Sequence, residues 1–423
     1  MMTSSPNFKP LRILLSEGTS TSAREAVTVL GLAGHVVDVC DPAAAGLARF
    51  SRFIRTYHRC PGMRDDPSGF LRFIEGLLAT GDYDVLLPIH EQGFLFARAQ
   101  ERLRPLAGLA LPSFASYRAA HSKAGFSRML SELGLPQPET QIVAGADALR
   151  AAVRFPSVIK TAIGTASRGI WMARNDADLA QAVREIETSN GFAGELLVQA
   201  HAAGATEKAQ GVFCRGELVG FHATRQIMEG AGGGDAIKRS VRRDRVRDDL
   251  AAIGRHLAWH GALSIDFIMP DDDSGPFYID CNPRLVESMA AYLAGVDLVD
   301  LLLRVSLGET PAVARATREG VVTHQAMQVL LGSAQRGSTR RDLLRICRDI
   351  WCRRGDYAGS TEELTPVRTD WLSAVPLVMT ALLLLMSPGL SHALAKRGWG
   401  QHLLNAGTVA AIESERFSFI RPR

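Results

Sequence analysis

Cysteine is scarce in this chain and scattered. The six cysteines, at 40, 60, 214, 281, 347 and 352, form no pair of closely spaced pairs, which excludes a zinc-ribbon or zinc-finger scaffold. With no signal-peptide pattern ahead of them, reduced thiols in a cytoplasm are the expectation. An excess of one charge is also lacking: 48 Lys and Arg against 44 Asp and Glu leave only +4. That balance hints at anionic ligands, but without a recognition motif it gives no reason to expect nucleic acid as a partner. G-x-G-x-x-G is absent too, so no dinucleotide fingerprint is present. What remains is a chain of 423 residues, 46% hydrophobic and 22% charged, long enough for two or three globular domains.

Long apolar runs are nearly absent. The exception lies at 371–395, 25 residues without a formal charge. Ser373, Pro376, Thr380 and the Ser387-Pro388-Gly389 break interrupt it, so it is expected to bury against the protein or lie at an interface rather than span a bilayer. An arginine-rich stretch, 336–354, precedes it with apolar residues at helical spacing. Peripheral membrane contact through this C-terminal extension is therefore a second expectation beside a cytoplasmic location.

The most informative stretch is SIDFIMPDDDSGPFYIDCNPR, 264–284. Two apolar runs flank a Pro/Asp/Gly turn, the pattern of a β-hairpin. A hairpin centred on Asp273 sets Asp266 opposite Asp280, about 5 Å apart, where like charges repel. Asn282 shares a face with Asp280, while Ile265, Phe267, Met269, Ile279 and Cys281 are expected on the buried face. Two carboxylates and an amide oxygen suit a hard cation such as Mg²⁺ carrying phosphate. An ordinary hairpin with its acids in water is the plainer alternative.

In chain order, residues 11–15 (LRILL) read as a buried strand, then a Ser/Thr-rich turn, a helix and the strand HVVDVC at 35–40, a parallel βαβ unit. A helix at 68–79, the strand YDVLLP at 83–88 and a helix at 91–104 follow. Glu91 sits just after that last strand, where ligands approach an open sheet. Further on, 155–160 is a strand ending in Lys160, and GTASRG (164–169) is a small-residue loop able to offer backbone N–H groups to phosphate. Residues 176–190 read as an amphipathic helix and ELLVQ, 195–199, as a strand. The segments 209–214 and 217–222 pair through Arg215-Gly216. GAGGG at 230–234 reads as a flexible loop, with Arg225, Lys238 and Arg239 as a cationic rim.

Several of these segments, in this order, resemble the ATP-grasp superfamily. The D-x-N-P-R strand matches its closing (E/D)-x-N-x-R motif, with Asp280 where Glu is usual. S-K-A-G-F…G-L-P-Q-P matches its Lys-containing opening, and P-S-V-I-K-T-A-I-G-T-A-S-R-G its phosphate lid. The G-V-D-L-V run at 295–299 is similar to biotin carboxylase and carbamoyl-phosphate synthetase. The resemblance implies a mixed α/β and α+β fold. Its parts would be an N-terminal parallel α/β domain (1–112), an ATP-grasp domain (113–310, lid about 140–205) and a mainly helical extension (311–423).

It further implies ATP and two Mg²⁺ ions, with Mn²⁺ as an alternative. Asp266, Asp280 and Asn282 would be the metal ligands. Lys123, Lys160, Gly164, Ser167, Arg168, Gly169, Gln199 and Glu207 would hold the nucleotide, Glu207 at its ribose. Lys160 and Arg284 would neutralise the transferred phosphoryl group. The activity implied is an ADP-forming carboxylate–amine ligase acting through an acyl phosphate on a small amino-acid-like or peptide-like carboxylate. Bicarbonate activation is the first alternative; a non-catalytic nucleotide-binding or membrane-associated protein is the second. Glu287 matches part of the carboxylase V-E-H signature, but Ser288 replaces its His and no biotin-attachment sequence occurs.

Overall fold

The computed structural model describes residues 9–164, 169–396 and 401–414. The N-terminal unit runs β1 (Arg12–Leu15), α1 (Thr21–Leu32), β2 (Val36–Asp41), β3 (Ile54–Arg59), α2 (Pro67–Leu78), β4 (Val85–Leu87), α3 (Gln92–Arg98) and α4 (Gln100–Leu103). Its strands form a parallel sheet in the order β3-β2-β1-β4. Ile13, Leu14, Leu15, Val37 and Val39 are fully buried, as strands covered on both faces require. The expected βαβ unit is therefore present. β3 was not legible in the sequence, because IRTYHR lies on the sheet edge and buries no residue completely. The helix expected at 91–104 breaks at Ala99.

Helices α5 (Phe114–His121) and α6 (Lys123–Glu132) lead into a small lid sheet. The Ser122 side chain accepts from the backbone of Gly125 and caps α6, so the residue that stands before Lys123 starts its helix. The lid comprises β5 (Thr140–Val143), α7 (Ala146–Ala152), β6 (Ser157–Thr161), β7 (Ile170–Ala173), α8 (Asp176–Thr188) and β8 (Leu196–Ala200). Its antiparallel order is β5-β8-β6-β7. Ile159, Leu149 and Ile186 form a core of its own.

The third layer is a seven-stranded sheet built from β9 (Ala205–Cys214), β10 (Glu217–Glu229), β11 (Asp235–Ser240), α9 (Asp244–His256), β12 (Gly261–Met269) and β13 (Phe277–Asn282). After α10 (Ser288–Leu293) and α11 (Leu298–Ser306), the extension supplies β14 (Val322–His324), α12 (Ala326–Gln335), α13 (Arg340–Trp351), β15 (Thr361–Glu362), α14 (Ala374–Met386), α15 (Ser391–Lys396) and α16 (Ala406–Ser414). The strand order is β13-β12-β9-β10-β11-β14-β15. Arg215 (φ 51°) and Gly216 (φ 94°) turn β9 into β10, both residues taking the positive φ that a tight two-residue hairpin demands.

One expectation about the later chain needs correction. The glycine run is followed by a strand, β11, and Lys238 is fully buried on it, so it is no part of a cationic rim. The apolar run at 371–395 buries one side only. Leu384 packs with Leu330, Leu331 and Leu343, while Val378, Met379, Leu382 and Met386 are exposed. Among the described residues no helix is long and apolar enough to cross a membrane.

The extension is tied back to the N-terminal unit by a buried ion pair. Arg24 on α1 meets Asp370 at 2.7 Å, and Asp370 also accepts from the Ser51 hydroxyl and the Arg52 amide. Removing one partner of a buried pair strands the other charge, at about 3–5 kcal/mol. Asp370→Ala is expected to lose that much stability in a denaturant titration, and Arg24→Met, which leaves Asp370 its two neutral donors, to lose less.

Candidate active site

β12 and β13 pair antiparallel with Asp266 opposite Asp280 and Ser264 opposite Asn282, the register expected from the turn. One detail differs. A bulge after Asp266 pairs Phe267 with Tyr278, so Tyr278 fills the core and Ile279 is only partly buried. The bulge frees the Ile279 carbonyl, which accepts from the Lys160 ammonium at 2.8 Å. On the other side of β12, β9 sets Lys208 opposite Asp266. A cross-strand row of Asp280, Asp266 and Lys208 results, a cation next to two like charges that would otherwise repel.

Four of the expected residues converge from separate elements. Lys123, the first residue of α6, donates to both oxygens of Asp280 at 2.7 Å, and its amide donates to Ala162 at the base of the lid. Lys160, on β6, donates to Gln199 Oε1 at 2.8 Å, and Gln199 in turn donates to Thr140. Burial lowers the Lys160 ammonium to a pKa of about 8, against the pull of Asp280. Burial likewise raises the Asp266 carboxyl to about 6, with Lys208 opposing and Asp280 adding to the shift. Two carboxylates and the Asn282 amide on neighbouring strands are all hard oxygen donors, and a carboxylate held up at that value gains from added positive charge. The donor set fits a divalent cation such as Mg²⁺.

A cleft beside this row is lined by His90, Glu91, Tyr117, Lys123, Asn282 and Arg284, with Gly164 at its edge. Burial pushes the Arg284 guanidinium down from its ordinary range, with Glu91 pulling the other way. Among the described residues no carboxylate lies within 4 Å of it. A guanidinium so placed at a cleft suits an anionic ligand. Glu91 is capped by the Leu404 amide from the C-terminal segment.

Behind Asp266 stands a buried ionic cluster for which no sequence motif prepared us. Lys208 meets Asp235 at 3.1 Å and Glu287 at 3.2 Å. Lys238 meets Glu287 at 3.0 Å and Glu363 at 2.8 Å. Burial alone would raise the Glu287 carboxyl, but the two lysines hold it down at about 2. The signal in the sequence was weak: Lys208 and Lys238 sit at inward positions of their strands, recognisable only once the register is known.

Glu207 is not brought to the cleft. It neighbours Lys208 on β9 and so points to the opposite face of the sheet, where Arg243 holds both its oxygens at 2.7 Å. Ser167 and Arg168 lie outside the described residues. Gly169 has φ 75°, which a side chain would strain, and its carbonyl accepts from Thr161.

No family model matches the sequence. Solved structures do match. Biotin carboxylase from Campylobacter jejuni superposes with a TM-score of 0.57 at 16% identity, over 74% of each chain. N5-carboxyaminoimidazole synthetase from Staphylococcus aureus, with ADP, gives 0.59 at 13% identity, over 81% of this chain and 86% of that one. L-amino acid ligase from Bacillus licheniformis gives 0.54 at 15%, over 71% and 75%. The chain has the ATP-grasp fold. In this ATP-grasp structure the lid sheet contributes Lys160 and Gln199, the large sheet Asp266, Asp280 and Asn282, and the N-terminal unit Glu91. The cleft lies where the three meet.

The Tyr117 hydroxyl is fully buried at the cleft and has no hydrogen-bond partner among the described residues. An unsatisfied hydroxyl costs stability. Tyr117→Phe is therefore expected to fold with unchanged or slightly raised stability, within about 1 kcal/mol, as read from its melting curve.

Proposed function

We propose that the protein is an ATP-dependent ligase that phosphorylates a small carboxylate and joins the resulting acyl group to an amine, releasing ADP and phosphate. One observation carries this reading: Lys123, Asn282 and Arg284 line one cleft, and just beside it Lys123 holds Asp280 while Lys160 reaches the adjoining Ile279 carbonyl. The fold neighbours support it, including an amino acid ligase and a synthetase holding ADP. Amino-acid-like or peptide-like carboxylates are the substrate class.

Asp266, Asp280 and Asn282 would hold the divalent ions, two Mg²⁺ with Mn²⁺ as an alternative, which when bound supply charge neutralisation for the triphosphate. Lys160, already fixed by Gln199 and the Ile279 carbonyl, holds a positive charge near the phosphates without further ordering. Lys123 can transfer its charge from Asp280 to the nucleotide once that carboxylate has another partner. Arg284 orients the acceptor carboxylate and stabilises negative charge on the phosphoryl group in transfer. No side-chain nucleophile is needed, because the carboxylate attacks the terminal phosphorus directly. A bound amine then displaces phosphate at a high effective concentration.

Bicarbonate as the carboxylate is the second reading. It is favoured by the confined, polar surroundings of Arg284 and by a carboxylase neighbour solved with bicarbonate. The two separate by trapping. With an organic carboxylate, ATP and hydroxylamine should yield a stable hydroxamate in place of amide. Bicarbonate-dependent ADP release, indifferent to every amino acid or peptide offered, would instead establish the second reading. Asp280→Asn is expected to lower turnover by orders of magnitude while the fold is kept. Wild-type turnover at limiting Mg²⁺ would sink the shared premise.

Lys160 gives a pH test. Its ammonium titrates near 8 in the free protein, and an adjacent phosphate favours the charged form. Below that pH the lysine is already protonated and binding takes up no proton at this site. Above it, nucleotide binding must pull a proton from solvent, so affinity falls as pH rises. Calorimetry at about pH 9 in buffers of different ionisation heat should show an uptake of up to about one proton. Lys160→Met should abolish that uptake and weaken binding.

A further inference from the structure

The C-terminal extension presents a surface that the ligase reading does not use. On α14, Val378, Met379, Leu382 and Met386 recur at one-, four- and eight-residue intervals, which places them on one side of the helix. They are 52–69% exposed. The opposite side of α14 is the one packed on α12 and α13. Beside it on α13, Leu344 and Trp351 are seven residues apart and also exposed, Trp351 to 89%. An indole so exposed gains nothing from the fold.

What surrounds these apolar groups is positive. Residues 336–354 hold seven arginines against two aspartates. Arg340 donates to the Met386 carbonyl, the last of α14, so a guanidinium stands at the end of the apolar stripe. Arg348 is engaged by Asp349 at 2.9 Å and Arg345 more loosely by Asp342 at 3.8 Å. Arg341, Arg353 and Arg354 are exposed, with no carboxylate within 4 Å among the described residues. Two copies meeting through this face would bring these arginines together and repel. A polyanionic plane with an apolar interior just below it satisfies both features.

We propose that α13 and α14 form a docking surface for an anionic lipid bilayer. The α14 stripe and Trp351 would enter the headgroup–acyl boundary, and the α13 arginines would meet lipid phosphates. The helices lie on the membrane and do not cross it. This inference is independent of the ligase reading and stands or falls without it.

Flotation of the full-length protein with vesicles tests it. Binding is expected to phosphatidylcholine mixed with phosphatidylglycerol, and not to phosphatidylcholine alone. High salt should release it, because the arginine contribution is screened. Arg341→Ala should weaken partitioning about fivefold, the share of one surface cation. Leu382→Glu, at an exposed position where folding is retained, should abolish flotation while leaving the melting curve unchanged. Trp351 fluorescence, isolated by difference against Trp351→Phe, should shift to the blue on vesicle addition and be quenched by brominated lipid. Absence of flotation at low salt, equal binding to neutral vesicles, or flotation unaffected by Leu382→Glu would each overturn the proposal. So would a concentration-dependent dimer dissociated by Leu382→Glu, which would assign the face to a second copy of the chain.

Discussion

Asp266 and Asp280 face each other across two hydrogen-bonded strands, and much of the surrounding structure answers that opposition. Like charges in this relation destabilise a sheet, so each acid has a lysine on its far side. Lys208 sits opposite Asp266 along the sheet, and Lys123 closes on Asp280 from the start of α6. Asp266 even so titrates high. Asp266 is thus short of positive charge, while Lys123 and Arg284 at the cleft and Lys160 beside it supply cations nearby. Such an arrangement would suit a cation and a polyanion bound together, as the proposed function requires.

The same charges couple distant parts of the chain. Glu287, just past the closing motif, neutralises Lys208 from β9 and Lys238 from β11, and Lys238 also meets Glu363 from the extension. Buried ion pairs are weak evidence of added stability, but breaking one is costly. The cluster therefore fixes which strands and helices lie against the Asp266/Asp280 edge. With the Arg24–Asp370 pair and the addition of β14 and β15 to the large sheet, the extension is part of the framework that shapes the site. Its outer side, on α13 and α14, carries exposed apolar residues.

Local pattern was enough to specify the hairpin, the βαβ start and the strand carrying Lys160. In each, period-two alternation or turn chemistry acts over a few neighbouring residues. Pairing register followed too, because the turn at 270–276 leaves little freedom in which residue meets which. Where a bulge intervened, alternation failed at once and Ile279 exchanged places with Tyr278.

What the sequence could not determine depends on contacts between residues far apart in the chain. Glu207 went to the opposite face of the sheet because its strand's register places Lys208, not its neighbour, beside Asp266. Lys238, next to a glycine-rich loop, is buried because Glu287 and Glu363 converge on it from 49 and 125 residues away in sequence. The acids of the hairpin and the lysines at Lys123 and Lys160 could be named from short motifs. That they gather beside one cleft, where Leu404 of a C-terminal segment caps Glu91, was decided only by packing three sheets and an extension together, since charge is balanced in space and not along the chain.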